Sequence, residues 1–116
     1  MSAPTLARED LGNGWGPNAL EISPLPNYCQ AFFSKNHKVF DTLSRGCDGV
    51  HHLCAGKVLI NRVMNVSIPK GERRRILGQA KIEVNYLASR LTPTCKLGED
   101  VRTAESQIRM LETLLK

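Results

Sequence analysis

The chain lacks the features that would tie it to a membrane or to a familiar catalytic scheme. No apolar run approaches the roughly 18–20 residues a membrane span requires, and none of its segments alternates in polarity as a half-buried strand does. There is no Gly-rich phosphate loop, no GxSxG, no HExxH and no spaced carboxylate pair in an apolar setting. Cysteines are present, but not as the paired C-x₂₋₄-C knuckles of structural zinc sites. The opening stretch MSAPTLAREDLGNGWGPN has no basic start followed by an apolar h-region, so no secretory leader is read. A cytoplasmic or nuclear protein with reduced thiols is therefore expected. No enzyme activity, small-molecule substrate, cofactor or membrane association is expected.

What is present fits one domain. The 116 residues are 41% hydrophobic and 23% charged, an ordinary globular balance. The net charge of +5 is unevenly placed. Residues 35–90 hold eleven bases against four acids, while residues 91–116 balance at four of each. That excess suits an acidic partner or a nucleic acid, and equally a solvated face.

Residues 1–26 show no period and contain Gly12, Gly14, Gly16 and four of the six prolines. They are read as an extended or disordered N-terminal lead, with residues 27–116 as a helical bundle domain. Trp15, the lone tryptophan, lies in this lead between two glycines, as an anchor that packs on the domain or docks on a partner. From Asn27 the pattern turns helical. Phe40, Leu43, Cys47, Val50 and Cys54 keep a 3-4-3-4 spacing, one stripe of a helix. Gly46 and Gly49 oppose it, and the unbroken stripe favours one long or kinked helix over a turn capped by Asp48. Gly49 and Gly56, seven apart, would let another helix approach closely.

Leu77, Ala80, Val84, Leu87 and Leu91 mark a second helix, opened by Ser67 and Pro69 and stopped before Thr92-Pro93. Val101, Ala104, Ile108, Leu111 and Leu115 mark a third, over about 99–116. The expected fold is all-α, a bundle of three or four helices. On the second helix Arg75, Gln79, Ile82 and Tyr86 fall on a second arc. With Trp15, the residues Arg75, Ile82 and Tyr86 are the candidate protein-binding set, for a second copy or a different protein. Lys70, Arg73, Arg74, Arg75 and Lys81 are the candidate anion or nucleic-acid contacts, near a helix end whose free N–H groups favour anions. No aromatic interleaves with these bases, which disfavours single-strand stacking.

The segment CDGVHHLC offers the only other chemistry. On a helix Cys47, His51 and Cys54 stand at i, i+4 and i+7, within reach of one metal ion. His51 and Cys54 also form a nominal base and nucleophile, without an orienting third group. The cysteines share the stripe of Phe40, Leu43 and Val50, so buried core thiols are the favoured reading, metal a minor one, and a disulfide or redox switch the least favoured. The function read from these features is a non-enzymatic binding or assembly module, with a nucleic-acid-binding helical bundle as the alternative.

Overall fold

The computed structural model of the protein describes residues 16–116. Its described elements are all helical. They are α1 (Ala19–Ile22), α2 (Asn27–Phe33), α3 (His37–Leu43), α4 (Val50–Val63), α5 (Lys70–Ala88) and α6 (Gly98–Leu114). The all-α expectation holds, with six helices described where three or four were expected. No described helix is long and apolar enough to cross a membrane.

The three long helices make the core. Leu53, Val58, Ile60 and Val63 of α4 meet Leu77, Ala80, Val84 and Leu87 of α5 and Val101, Ala104, Ile108 and Leu111 of α6. The α5 and α6 stripes are the ones read from the spacing. At Gly56 an added Cβ would stand 2.6 Å from Val84 Cγ2, so this glycine lets α4 and α5 approach closely, as expected. Within the expected lead, α1 is closed by a capping box between Asn18 and Glu21. Glu21 then pairs with Arg62 of α4 at 2.6 Å, and Leu25 is buried in the core. Burial pushes the Glu21 carboxyl up, but Arg62 and the Asn18 contact outweigh it and hold the pKa below its usual value.

The favoured continuous helix through residues 40–54 does not form. The chain turns between Leu43 and Val50, with Gly46 at φ +82° and Gly49 at φ +95°. Both values lie where a Cβ is strained. Asp48 does not cap α4; Gly49 holds that position, and the Asp48 carboxylate lies 3.7 Å from Arg90. A second interruption, unforeseen, separates α2 from α3. Asn36 N–H donates to Ala31 O and Lys35 N–H to Phe32 O, at 2.9 and 3.1 Å. This is a Schellman closure whose left-handed residue is Lys35, φ +61°, where glycine is usual and a side chain costs about 1 kcal/mol.

The cysteines correct the sequence reading most. None is a free thiol. Cys29 of α2 is bonded to Cys54 of α4, and Cys47 to Cys95 in the α5–α6 loop. The first bond is wholly buried, whereas Cys47 stays half-buried. The spacing could not reveal this, because both pairs are closed by tertiary approach of distant segments.

Candidate binding faces

The basic start of α5 finds most of its partners inside the molecule. A helix leaves its last carbonyls without intrahelical donors, and α4 and α6 deliver theirs to this end of α5. Arg73 Nε donates to Val63 O at 2.6 Å, Arg74 Nη1 to Leu115 O at 3.0 Å, and Lys70 Nζ to Lys116 O at 2.6 Å. Cations at helix C-termini are favourable for the same reason. Arg75 pairs with Glu72 one turn back, through Nε to Oε1 at 3.0 Å; that contact lowers the Glu72 pKa and raises that of Arg75. Lys81 reaches across to Glu112 of α6 at 2.9 Å. The five bases therefore fan out to four places and do not converge on one anion.

The candidate protein-binding residues separate as well. Trp15 lies outside the described residues. Ile82 is 65% exposed and stands on the rim of a groove of about 530 Å³ along the α5–α6 seam. Val84 and Ile108 line its apolar part, and Lys81, Glu105, Arg109 and Glu112 line its polar part. Gly78 adds no side chain there; a Cβ at that position would meet nothing within 4 Å. Met110 and Leu114 of α6 are also exposed, at 51% and 66%, but they do not line this groove.

Tyr86 does not share that face. Its ring stacks on His52 at 3.8 Å between centroids, and the Arg90 guanidinium lies 3.7 Å from its other side. Gly49 abuts the ring so closely that a Cβ there would stand 2.5 Å from Tyr86 Cδ1. Tyr86 thus latches the start of α4 onto α5. Beneath it His52 Nδ1 hydrogen-bonds Glu83 Oε1 at 2.7 Å, and Gln79 Nε2 donates to Glu83 Oε2 at 2.9 Å. A carboxylate-oriented imidazole suits general-base work. Yet among the described residues no Ser, Thr or Cys hydrogen-bonds His51 or His52. Burial, with help from neighbouring His52, lowers the pKa of His51.

The minor metal reading of Cys47, His51 and Cys54 is overturned. A metal ligand is a thiolate, and these two sulfurs are bonded to Cys95 and Cys29 instead. The nominal Cys54 nucleophile is lost for the same reason. Among the described residues no group of three potential ligands assembles a metal site.

Sequence reading missed the excursion between Cys29 and Cys47. Each of these cysteines is bonded to a different part of the molecule, so the excursion is anchored at both ends. Within it α3 has no buried residue and, among the described helices, packs on α2 alone. Phe32 contacts Phe33, Phe40 and His51, with ring centroids 5.1–5.9 Å apart. Val39 and Leu43 remain 42% and 37% exposed. The available signal was the interleaving of Lys35, Lys38 and Arg45 with Phe32, Phe40 and Leu43, which the apparent helical stripe concealed. Comparison with known protein families, characterised proteins and solved structures returned no match.

Proposed function

We propose that this chain is a non-enzymatic protein-binding and assembly module. The observation that carries this reading is Ile82, 65% exposed on the rim of the α5–α6 groove. Covering the 65% of Ile82 that is exposed is worth about 1–2 kcal/mol, and the apolar floor adds to it. The Lys81–Glu112 pair at the groove's edge is exposed on both sides, so it contributes little and yields to an incoming chain. His52 and Glu83 serve the Tyr86 latch in this reading, and among the described residues no Ser, Thr or Cys hydrogen-bonds the imidazole.

The two disulfides favour an oxidising compartment. The cytoplasmic or nuclear placement rested on the lack of a readable leader and implied reduced thiols; the disulfides weigh against it, and we set it aside. Nucleic-acid binding through Lys70, Arg73, Arg74, Arg75 and Lys81 stays the alternative, weakened by the internal partners of all five.

Light scattering of the purified chain across a range of concentrations tests the reading. Self-assembly through the groove gives a mass above the monomer that returns to monomer in Ile82→Asp. A monomer at every concentration removes the self-assembly form. Salt-dependent binding to RNA or DNA, lost on reversing Arg73, Arg74 and Arg75, would install the alternative.

A further inference from the structure

The arm formed by α2, α3 and the turn to Cys47 stands apart from the α5–α6 groove. Its bases differ in kind from those on α5. Among the described residues the side chains of Lys35, Lys38 and Arg45 make no hydrogen bond or ion pair. Lys96, brought to this end by the Cys47–Cys95 bond, makes none either. All four are exposed. With Lys96, residues 27–47 thus present four exposed bases against the single acid Asp41, beside a helix, α3, that has no buried residue.

We infer that this arm is a docking surface for an acidic segment of a partner protein, one whose apolar residues cover Val39 and Leu43 while its carboxylates meet Lys35, Lys38, Arg45 and Lys96. This rests on the reading of the chain as a protein-binding module and names a second face for it. Charge complementarity selects an acidic occupant. Asp41 selects a protein over a uniform polyanion. It is exposed and likewise unpaired, and one turn of α3 places it beside Lys38. A phosphate backbone or an anionic lipid surface would set negative charge against it, whereas a polypeptide can place a base there. The aromatic rings are half-buried and packed edge-on or tilted against one another, which leaves little for stacked bases. Val39 and Leu43 offer aliphatic surface that a peptide side chain can cover and a phosphate cannot.

The test is selection from a phage-displayed dodecapeptide library on the immobilised, oxidised full chain. Vesicles of phosphatidylcholine and phosphatidylglycerol, and an oligothymidylate, serve as competing probes. The expected peptides carry acids flanking apolar residues and shift the amide resonances of residues 32–45. Their binding weakens about tenfold in the Lys35→Glu/Lys38→Glu/Arg45→Glu variant, in line with three rim charges of modest individual worth. It also weakens in Leu43→Ser and is unchanged in Gly78→Leu, which fills the groove. Peptides lost in Gly78→Leu but kept by the charge-reversed variant would overturn the arm while leaving the module reading intact. Failure to select any peptide, enrichment without acids, or tighter binding to the vesicles or oligothymidylate would each overturn the arm.

Discussion

Removing the disulfides one at a time should reverse the order that loop length alone gives. In the chain-entropy view a crosslink stabilises more as its loop lengthens. The Cys47–Cys95 separation of 48 residues is worth about 4 kcal/mol, and the Cys29–Cys54 separation of 25 about 3.5 kcal/mol. The shorter bond, however, is fully buried in the core cluster. Replacing both its cysteines by alanine also deletes core volume, at a further cost of about 1–2 kcal/mol. Cys29→Ala/Cys54→Ala should therefore be the costlier pair, by about 5 kcal/mol, against about 4 kcal/mol for Cys47→Ala/Cys95→Ala. Either is a large part of the roughly 5–15 kcal/mol available to a domain. With a urea slope of about 1–3 kcal/mol per molar, the midpoint should drop by more than about 1 M. Urea unfolding followed by circular dichroism, with and without reductant, measures this directly. An unfolding midpoint indifferent to reductant, or free thiols in the denatured, unreduced protein, would refute the reasoning at its root.

Two glycines should respond in opposite directions in the same assay. Gly49→Ala should lose at least about 2 kcal/mol, because it combines a left-handed φ of +95° with a Cβ 2.5 Å from the Tyr86 ring. Gly78→Ala should gain up to about 1 kcal/mol, since it adds helix propensity in open space. Equal effects at the two sites would contradict the latch described for Tyr86. Acid should also destabilise in two stages. His51 has its pKa lowered by burial and by His52, so the folded state holds its proton less tightly than the unfolded chain. Its share of stability is full above the ordinary value near 6.5 and is lost as pH falls through the folded value. Glu21, also lowered, contributes above its ordinary value of 4.5 and is lost as pH falls through its own folded value. His51→Gln should flatten the upper stage of a midpoint-against-pH curve and leave the lower one; an unaltered upper stage would exclude His51 as its source.

The helices that bury one stripe were legible in the sequence, because apolar spacing reports burial directly. Leu77, Val84 and Leu87, or Val101, Ile108 and Leu111, go where a 3-4-3-4 pattern sends them. The stripe through Phe40, Leu43, Cys47, Val50 and Cys54 misled for an instructive reason. Four of its five members are buried or half-buried by different agents: ring packing for Phe40, disulfides for Cys47 and Cys54, core contact for Val50; Leu43 stays exposed. Spacing cannot tell these apart, and the glycines that break the helix were the truer signal. The candidate faces were half legible. Ile82 lies off the core stripe, as its position on the second arc implied, and no element of the described structure covers it, but Tyr86, one turn on, is held by His52 from another helix. Nor could a count of bases foresee that α5 would spend Lys70, Arg73 and Arg74 on carbonyls from α4 and the end of the chain, leaving Lys35, Lys38 and Arg45 unspent.

The groove and the arm draw on different sources of stability, and that difference separates them without mutation. The groove's apolar floor belongs to two long helices already held by the core. The arm's α3 is not held this way, although α2 buries Tyr28 and Cys29 in the core. Ordering a residue costs about 1–2 kcal/mol, a helix as short as α3 is unstable alone, and α3 buries none of its residues. Contacts among Phe32, Phe33 and Phe40 return part of that cost. Much of the remainder is offset at the anchors, since crosslinks at Cys29 and Cys47 reduce the freedom the excursion has when it is loose. The half-buried Cys47 sulfur is also the more accessible to a reductant, while Cys29 and Cys54 are enclosed. Mild reduction should accordingly loosen the arm before α4, α5 and α6 part. Binding that depends on the arm then weakens under mild reductant, and binding that depends on the groove persists.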